Sequence, residues 1–472
     1  MSTRFSKDPR NERSLRHSIK DGVAYSVMMG SGESYFSAFA VLLKASTAQV
    51  GLLATFPPLL ASFAQLLSSW LGRRTGRRKG IIVFGAGLQN LALLPLALLP
   101  LLFPAHAVPI LIACAVLYHT GANLAAPQWG SLMGDIVPER RRGRYFGRRT
   151  RLCSITTFLA LIFAGMALEV FDRNAFTVGG FLLIFAVAAI ARAVSVYHLA
   201  RMYDPPGHTA ALESPFKGSL LRRLRGSSFA RFSLFFAAMQ FAVNISGPFF
   251  VVYMLRDLGF SYLEFTIMTG TSVLLQFLTL NRWGRLSDAF GNRYILLVTG
   301  LLIPFMPALW MFSTNYVYLL LLQAVGGLCW AGFSLSASNY LYDLIPSERR
   351  ATQLAMHNVG ASIGVFCGAL LGGYIATHAP KEIFLFGEHY EWFSALYAAF
   401  LLSTLARFTV AALFLPRLRE MRAVRKPNVS TLIFPTVRFQ TPSWMSFDIV
   451  GARKSGKSVR DEIERKSSPE GQ

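Results

Sequence analysis

Apolar residues in this chain run in long blocks separated by short polar turns. A bilayer core is about 30 Å thick, so a crossing helix needs about 20 mostly apolar residues. Twelve stretches meet that length: 21–43, 48–70, 80–102, 107–132, 151–170 and 178–200, then 230–254, 261–282, 294–313, 316–341, 352–377 and 392–415. Blocks this long are helices rather than strands, so the pattern predicts an all-α polytopic membrane protein with 12 transmembrane helices. The first apolar block is too long for a signal-peptide core and lacks a clear cleavage site, which makes it a retained span.

The polar turns fix an expected orientation, because cytoplasmic loops collect lysine and arginine. With both termini cytoplasmic, all but six of the 47 basic residues fall on the cytoplasmic side or at its edge. Lys44, Arg173, Arg256 and Lys381 lie opposite, while Arg192 and Arg407 sit inside spans.

Composition agrees. The chain is 53% hydrophobic and only 15% charged, where soluble domains carry about 25%. The net charge of +23 is explained by the loops, so no nucleic-acid partner is expected. Cys114, Cys153, Cys329 and Cys367 all lie in apolar runs without a CxxC pair, so no metal site and no cofactor are expected. Gly456-Lys457-Ser458 mimics the end of a nucleotide-binding loop but fails its spacing, and no HExxH or GxSxG occurs.

The spans are written twice. Gly76 and Gly291, in the turns after spans two and eight, are 215 positions apart; the same offset joins Ser31-Gly32 to Ser246-Gly247 and Arg192 to Arg407. Asp135-Ile-Val-Pro138 also recurs as Asp343-Leu-Ile-Pro346. The expected organisation is a basic N-terminus (1–20), a six-helix bundle (21–200), a cytoplasmic linker (201–229), a second six-helix bundle (230–415) and a disordered basic tail (416–472).

Over residues 20 to 416 this layout resembles the major facilitator superfamily (MFS). The signature loop of that family is matched by Gly284, Asp288, Gly291 and Arg293 in the second half and by Gly76, Arg77 and Arg78 in the first. Arg73 occupies the first-half aspartate position, so the resemblance assigns the cytoplasmic latch to Asp288, facing the start of span eleven and Arg349 or Arg350. Asp135, Arg140 and Asp343 belong to the same turns. Glu33-Ser34-Tyr35 and the stretch from Pro138 to Arg149 are similar to a poorly characterised bacterial, sugar-transporter-like branch. The resemblance implies a monomer in a bacterial inner membrane.

An ionisable side chain deep in a bilayer needs a partner, a wet cavity or a function. Glu33, near mid-depth in the first span, is the candidate for coupling to protons, with His119 second. Arg192 and Arg407 read as symmetric scaffold or gating residues. Polar side chains four apart share a helix face. Such spacing makes His119 and Asn123, with Gln128 and Trp129, cavity candidates in span four. Gln240 and Asn244 in span seven, Trp330, Ser334, Ser338 and Asn339 in span ten, and Tyr35 complete the set. Gly360, Gly364, Gly368 and Gly372 form a small-residue stripe for close helix packing. These features predict a secondary transporter of a small solute working by alternating access, not an enzyme. Proton coupling, uncoupled facilitation and drug or metabolite export stay open, with a membrane-embedded receptor or enzyme as the remote alternative.

Overall fold

The computed structural model of the chain describes residues 5–6, 8–138, 141–205, 227–345, 350–379, 382–385, 388–391 and 393–420. Arg140, Arg349, most of the expected linker and most of the expected tail lie outside these residues.

The helices begin and end where local chemistry directs. Helix α1 (Pro9–Ser31) starts twelve residues before its apolar block, because the Asp8 side chain accepts from the Arg10 amide and Pro9 fits the first turn. The expected polar N-terminus is therefore largely helical. Past Ser31 the chain tightens into a 3₁₀ turn, Glu33–Tyr35, and resumes as Phe36–Leu42. Helix α2 (Thr47–Thr75) opens on a reciprocal capping box between Ser46 and Gln49 and closes at Gly76, whose φ of 61° suits glycine.

Next come α3 (Arg78–Leu93, interrupted after Leu94 and resumed at Leu99–Leu102), α4 (Ala107–Ile136), α5 (Arg142–Arg173) and α6 (Thr177–Ala200). Helix α7 (Ser228–Asn244) breaks at Ile245–Pro248 before continuing to Asp257. Helix α8 (Tyr262–Phe290) opens on a capping box between Ser261 and Glu264 and closes at Gly291, φ 90°. Both caps, and the breaks in α1 and α7, repeat at the 215-residue offset of the signature glycines. The remaining helices are α9 (Asn292–Leu302, extended by Phe305–Leu309), α10 (Tyr316–Leu344), α11 (Arg350–His378) and α12 (Leu396–Phe414). Between α11 and α12 a hairpin of β1 (Glu382–Leu385) and β2 (Glu388–Glu391) replaces the expected start of the last span at 392.

Ten of these helical stretches are long and apolar enough to cross a membrane. The two that fall short are α1, which carries a charged first half, and α3, which Pro95 interrupts. Large apolar side chains face outward, among them Phe84, Phe163, Ile190 and Phe312, each at least 65% exposed. Exposure on this scale suits hydrocarbon rather than water.

Helices α1 to α6 pack chiefly on one another, as do α7 to α12, and the two sets meet where α2 lies on α11 and α5 on α8. The approaches gather at one end. There the Tyr35 hydroxyl lies 2.8 Å from Thr266 Oγ1, Arg256 Nη1 donates to Thr47 Oγ1 at 3.1 Å, and the Phe56 and Phe366 rings are 5.9 Å apart. A single apolar core runs through this end, joining Phe36 and Phe39 to Phe249, Tyr253 and Phe265.

The glycine stripe of α11 packs as predicted over most of its length. A Cβ at Gly364, Gly368 or Gly372 would overlap the α7 carbonyl oxygen of Ala237, Phe241 or Ile245, whereas one at Gly360 meets open space. The stripe thus meets the α7 backbone at Gly364, Gly368 and Gly372, while Gly360 lies off that contact.

Candidate functional site

Glu33 sits in the 3₁₀ turn that interrupts α1, half-buried, so the break places a carboxylate at a helix interruption instead of mid-helix. The Tyr118 hydroxyl of α4 donates to its Oε2 at 2.7 Å. Tyr118 is itself fully buried, with its ring 5.2 Å from that of His119 and also 5.2 Å from Phe36. His119 lies within electrostatic range of Glu33. The two proton-coupling candidates therefore lie near one another.

Sequence reasoning missed the acid beneath them. Asp21 is 4% exposed. Its Oδ1 accepts from Ser195 Oγ at 2.6 Å, Ser195 accepts from Arg192 Nη1 at 2.7 Å, and Arg149 Nη2 reaches Asp21 Oδ2 at 3.4 Å. Arg192 also lies 5.1 Å over the Tyr25 ring, and Arg149 lies 4.5 Å over Trp129. Asp21, Tyr25 and Glu33 thus form a column of polar groups along α1, tied to α4, α5 and α6. Asp21 stands at the margin of its apolar block, where hydropathy alone treats an acid as solvated.

Arg407 answers Arg192 by sequence but not by chemistry. It is 3% exposed and donates to Ser403 Oγ at 3.0 Å, Ser246 Oγ at 2.9 Å, and the carbonyls of Ile303 and Val243, each at 3.2 Å. Among the described residues no carboxylate pairs with it. Two helices, α7 and α9, are pinned to α12 by one guanidinium, which favours the scaffold reading.

The polar stripes divide. Gln240, Trp330, Ser334 and Ser338 line a cavity of about 370 Å³ between α7, α10 and α11, joined by His357 and Asn358. This cavity lies toward the end of the helices opposite the contact between the two sets. Asn339 is outside its lining, and Asn244 donates to the Gln240 carbonyl in its own helix. Four candidates are corrected, Tyr35, Gln128, Asn123 and Trp129, which lie outside this lining. Tyr35 is fully buried and donates to the Leu161 carbonyl at 2.7 Å, so it belongs to the junction between the sets. Gln128, 7% exposed, donates to the Ser68 carbonyl, and Asn123 accepts from Gln65 at 2.5 Å, so both fasten α4 to α2. Trp129 packs beneath Arg149 rather than facing a cavity. His357, which no motif marked, lies tilted with its ring 4.8 Å from that of Phe236 and 3.1 Å from Ser233 Oγ.

The turns after α2 and α8 are built differently. In the first, Arg78, next to Gly76 and Arg77, reaches Asp135 at 2.6 Å and Asp204 at 3.1 Å. In the second, Asn292 donates to Asp343 at 3.0 Å while accepting from Ser287 at 2.5 Å, and the Arg293 amide donates to Glu420. Gly284 and Gly291 bracket an exposed Asp288. Arg349 and the Arg350 side chain, its expected partners, are outside the described residues. No group of three or more metal-ligating side chains occurs among the described residues.

Comparison with known proteins fits this architecture. The profile of the Major Facilitator Superfamily matches residues 22–250 and again 232–452. Among curated proteins, a multi-drug resistance efflux pump, PmrA, of Streptococcus pneumoniae serotype 4 is 25% identical over 115 residues, 24% of this chain and 29% of that protein. The multidrug resistance protein MdtG of Dickeya zeae is 34% identical over 103 residues, 22% of this chain and 25% of that protein. The matched part thus spans under a third of either relative. Among solved structures, the nucleoside transporter NupG superposes with TM-score 0.65 at 14% identity, covering 87% of this chain and all of that one. A D-xylose-proton symporter superposes with TM-score 0.65 at 13% identity, covering 88% and 99%. Matched twice by one profile and sharing the fold of these neighbours, the chain belongs to the Major Facilitator Superfamily and is an integral membrane protein.

Proposed function

We propose that the chain moves a neutral or amphipathic small solute by alternating access, coupled to protons through Glu33. In this reading the polypeptide crosses the membrane 12 times as two six-helix halves, 21–200 and 230–415. A cytoplasmic linker joins them, both termini are cytoplasmic, and the protein works as a monomer in a bacterial inner membrane. The closed end, where Tyr35 meets Thr266, is then the outer gate, and the structure is the inward-facing state.

The observation that carries the coupling is the Glu33–Tyr118 contact. A carboxylate at a helix break, held by one neutral hydroxyl among the described residues and with His119 beside it, can gain a proton without breaking an ion pair. The cavity lined by Gln240, Trp330, Ser334, Ser338 and Asn358 supplies amides, hydroxyls and an aromatic face, and among the described residues no carboxylate, Arg or Lys side chain lines it, which suits an uncharged solute. In proteoliposomes, Glu33→Gln is expected to abolish accumulation driven by a pH gradient while leaving counterflow of labelled solute intact. Undiminished gradient-driven uptake in that variant removes Glu33 from the mechanism.

Export is the second reading. It is favoured by the partial likeness to two multidrug resistance proteins and by the aromatic content of the cavity, where Phe236 and Phe333 join Trp330.

A further inference from the structure

Basic side chains crowd the ends of α1, α3 and α6, and among the described residues several have no carboxylate partner. The segment after α6 and the turn before α3 enclose a cavity of about 540 Å³ lined by Arg77, Lys79, Gly80, Arg201, Met202, Tyr203 and Asp204. Asp204 is its one acid, and it is already engaged. Its Oδ1 receives Arg78 Nε at 3.2 Å and Arg78 Nη2 at 3.1 Å, and its Oδ2 receives the Lys79 amide at 3.1 Å. Among the described residues, the side chains of Arg77, Lys79 and Arg201 have no carboxylate partner.

The positive field extends onto α1. His17 Nδ1 and His198 Nδ1 are 3.0 Å apart, and Lys20 and Arg201 act on His17 as like charges. Burial first, then His198, Lys20 and Arg201, push the His17 imidazole below its usual value. So many cations at one seam repel one another unless an anion joins them.

The flank of the seam is apolar and outward-facing. On α6, Ile190, Val194 and Tyr197 are 66%, 44% and 52% exposed, and Arg201 lies 4.9 Å over the Tyr197 ring. A tyrosine and an arginine at the end of such a helix mark the headgroup level of a bilayer. The groove therefore offers cations at headgroup height and a hydrocarbon-compatible wall beside them.

We propose that this groove binds the phosphate headgroup of an anionic phospholipid, with its acyl chains lying along the outer face of α6. Charge complementarity selects the phosphate, and the apolar flank selects a lipid over a soluble phosphate ester. The site is separate from the solute cavity and does not depend on the coupling proposal.

Native mass spectrometry of the full-length protein in detergent tests it, with phosphatidylglycerol and phosphatidylcholine as probes. The wild type is expected to retain phosphatidylglycerol preferentially. The Lys79→Gln/Arg201→Gln variant is expected to lose that preference by roughly thirtyfold, at about 1 kcal/mol for each basic side chain near an anionic surface. Arg201→Lys, which keeps the charge, is expected to keep the preference, separating charge loss from misfolding. Arg285→Gln, an exposed cation on the second set of helices, is expected to change nothing. Equal loss in Arg285→Gln, or undiminished preference in the double variant, overturns the site. Glycerol 1-phosphate binding as tightly as the lipid overturns the lipid as its occupant.

Discussion

At the scale of single residues, α1 carries three polar groups with different surroundings. Asp21 is enclosed with Arg149 and the Ser195–Arg192 pair, Tyr25 lies under Arg192, and Glu33 is half-buried against Tyr118. Removing one partner of a buried ion pair costs about 3–5 kcal/mol, since the other charge is left uncompensated. Asp21→Asn is therefore expected to lower the thermal unfolding midpoint of the purified protein sharply, and Glu33→Gln to leave it nearly unchanged. Equal midpoints for the two variants would contradict this assignment. Glu33 was legible in the sequence because an acid inside an apolar block is conspicuous. Asp21 was not, because Ser195, its bonding partner, is 174 positions away and local spacing reports only neighbours on one helix. The same limit explains Gln128 and Asn123: their four-apart or five-apart spacing shows a polar face, but not that Ser68 and Gln65 of α2 occupy it.

At the scale of elements, the close packing of α11 on α7 makes one glycine differ from another. Gly368→Leu places a side chain against the Phe241 backbone and is expected to abolish folded yield, read by size-exclusion chromatography. Gly360→Ala meets open space and gains helix propensity of up to about 1 kcal/mol, so it is expected to fold as well as wild type or better. Loss of folded protein in Gly360→Ala would show that the stripe is continuous. Sequence spacing revealed the stripe but not that Gly360 lies off the contact, which depends on the angle at which α7 crosses α11. Helix positions were legible because apolar length dominates them. The early start of α1 was not, because the Asp8 cap and Pro9 act outside the apolar block. The paired capping boxes at Ser46 and Ser261 were present in the letters at the 215-residue offset, and a search for serine followed three residues later by Gln or Glu finds them.

At the scale of the whole molecule, one end of the α2–α11 seam must part if the protein is to open the other way. An ideal Cβ at Gly373 lies 3.8 Å from the Ala48 Cβ, the mean separation of bridged cysteines. In a background lacking the four native cysteines, Ala48→Cys/Gly373→Cys is expected to cross-link on oxidation and stop counterflow, with transport restored by reductant. Counterflow that survives complete cross-linking would show that this end does not open. The duplication was legible in the sequence; which end closes was not, because it is decided by contacts between helices hundreds of positions apart. Arg407 carries a consequence of its own. The first set of helices places Asp21 beside its buried guanidinium groups, Arg149 directly and Arg192 through Ser195, whereas the second surrounds Arg407 with hydroxyl and carbonyl dipoles and, among the described residues, no carboxylate. Moving one elementary charge through the full membrane field is worth about 2.3 kcal/mol per 100 mV. Any tilt that displaces Arg407 along the membrane normal makes the gating equilibrium voltage-dependent, even for an uncharged cargo.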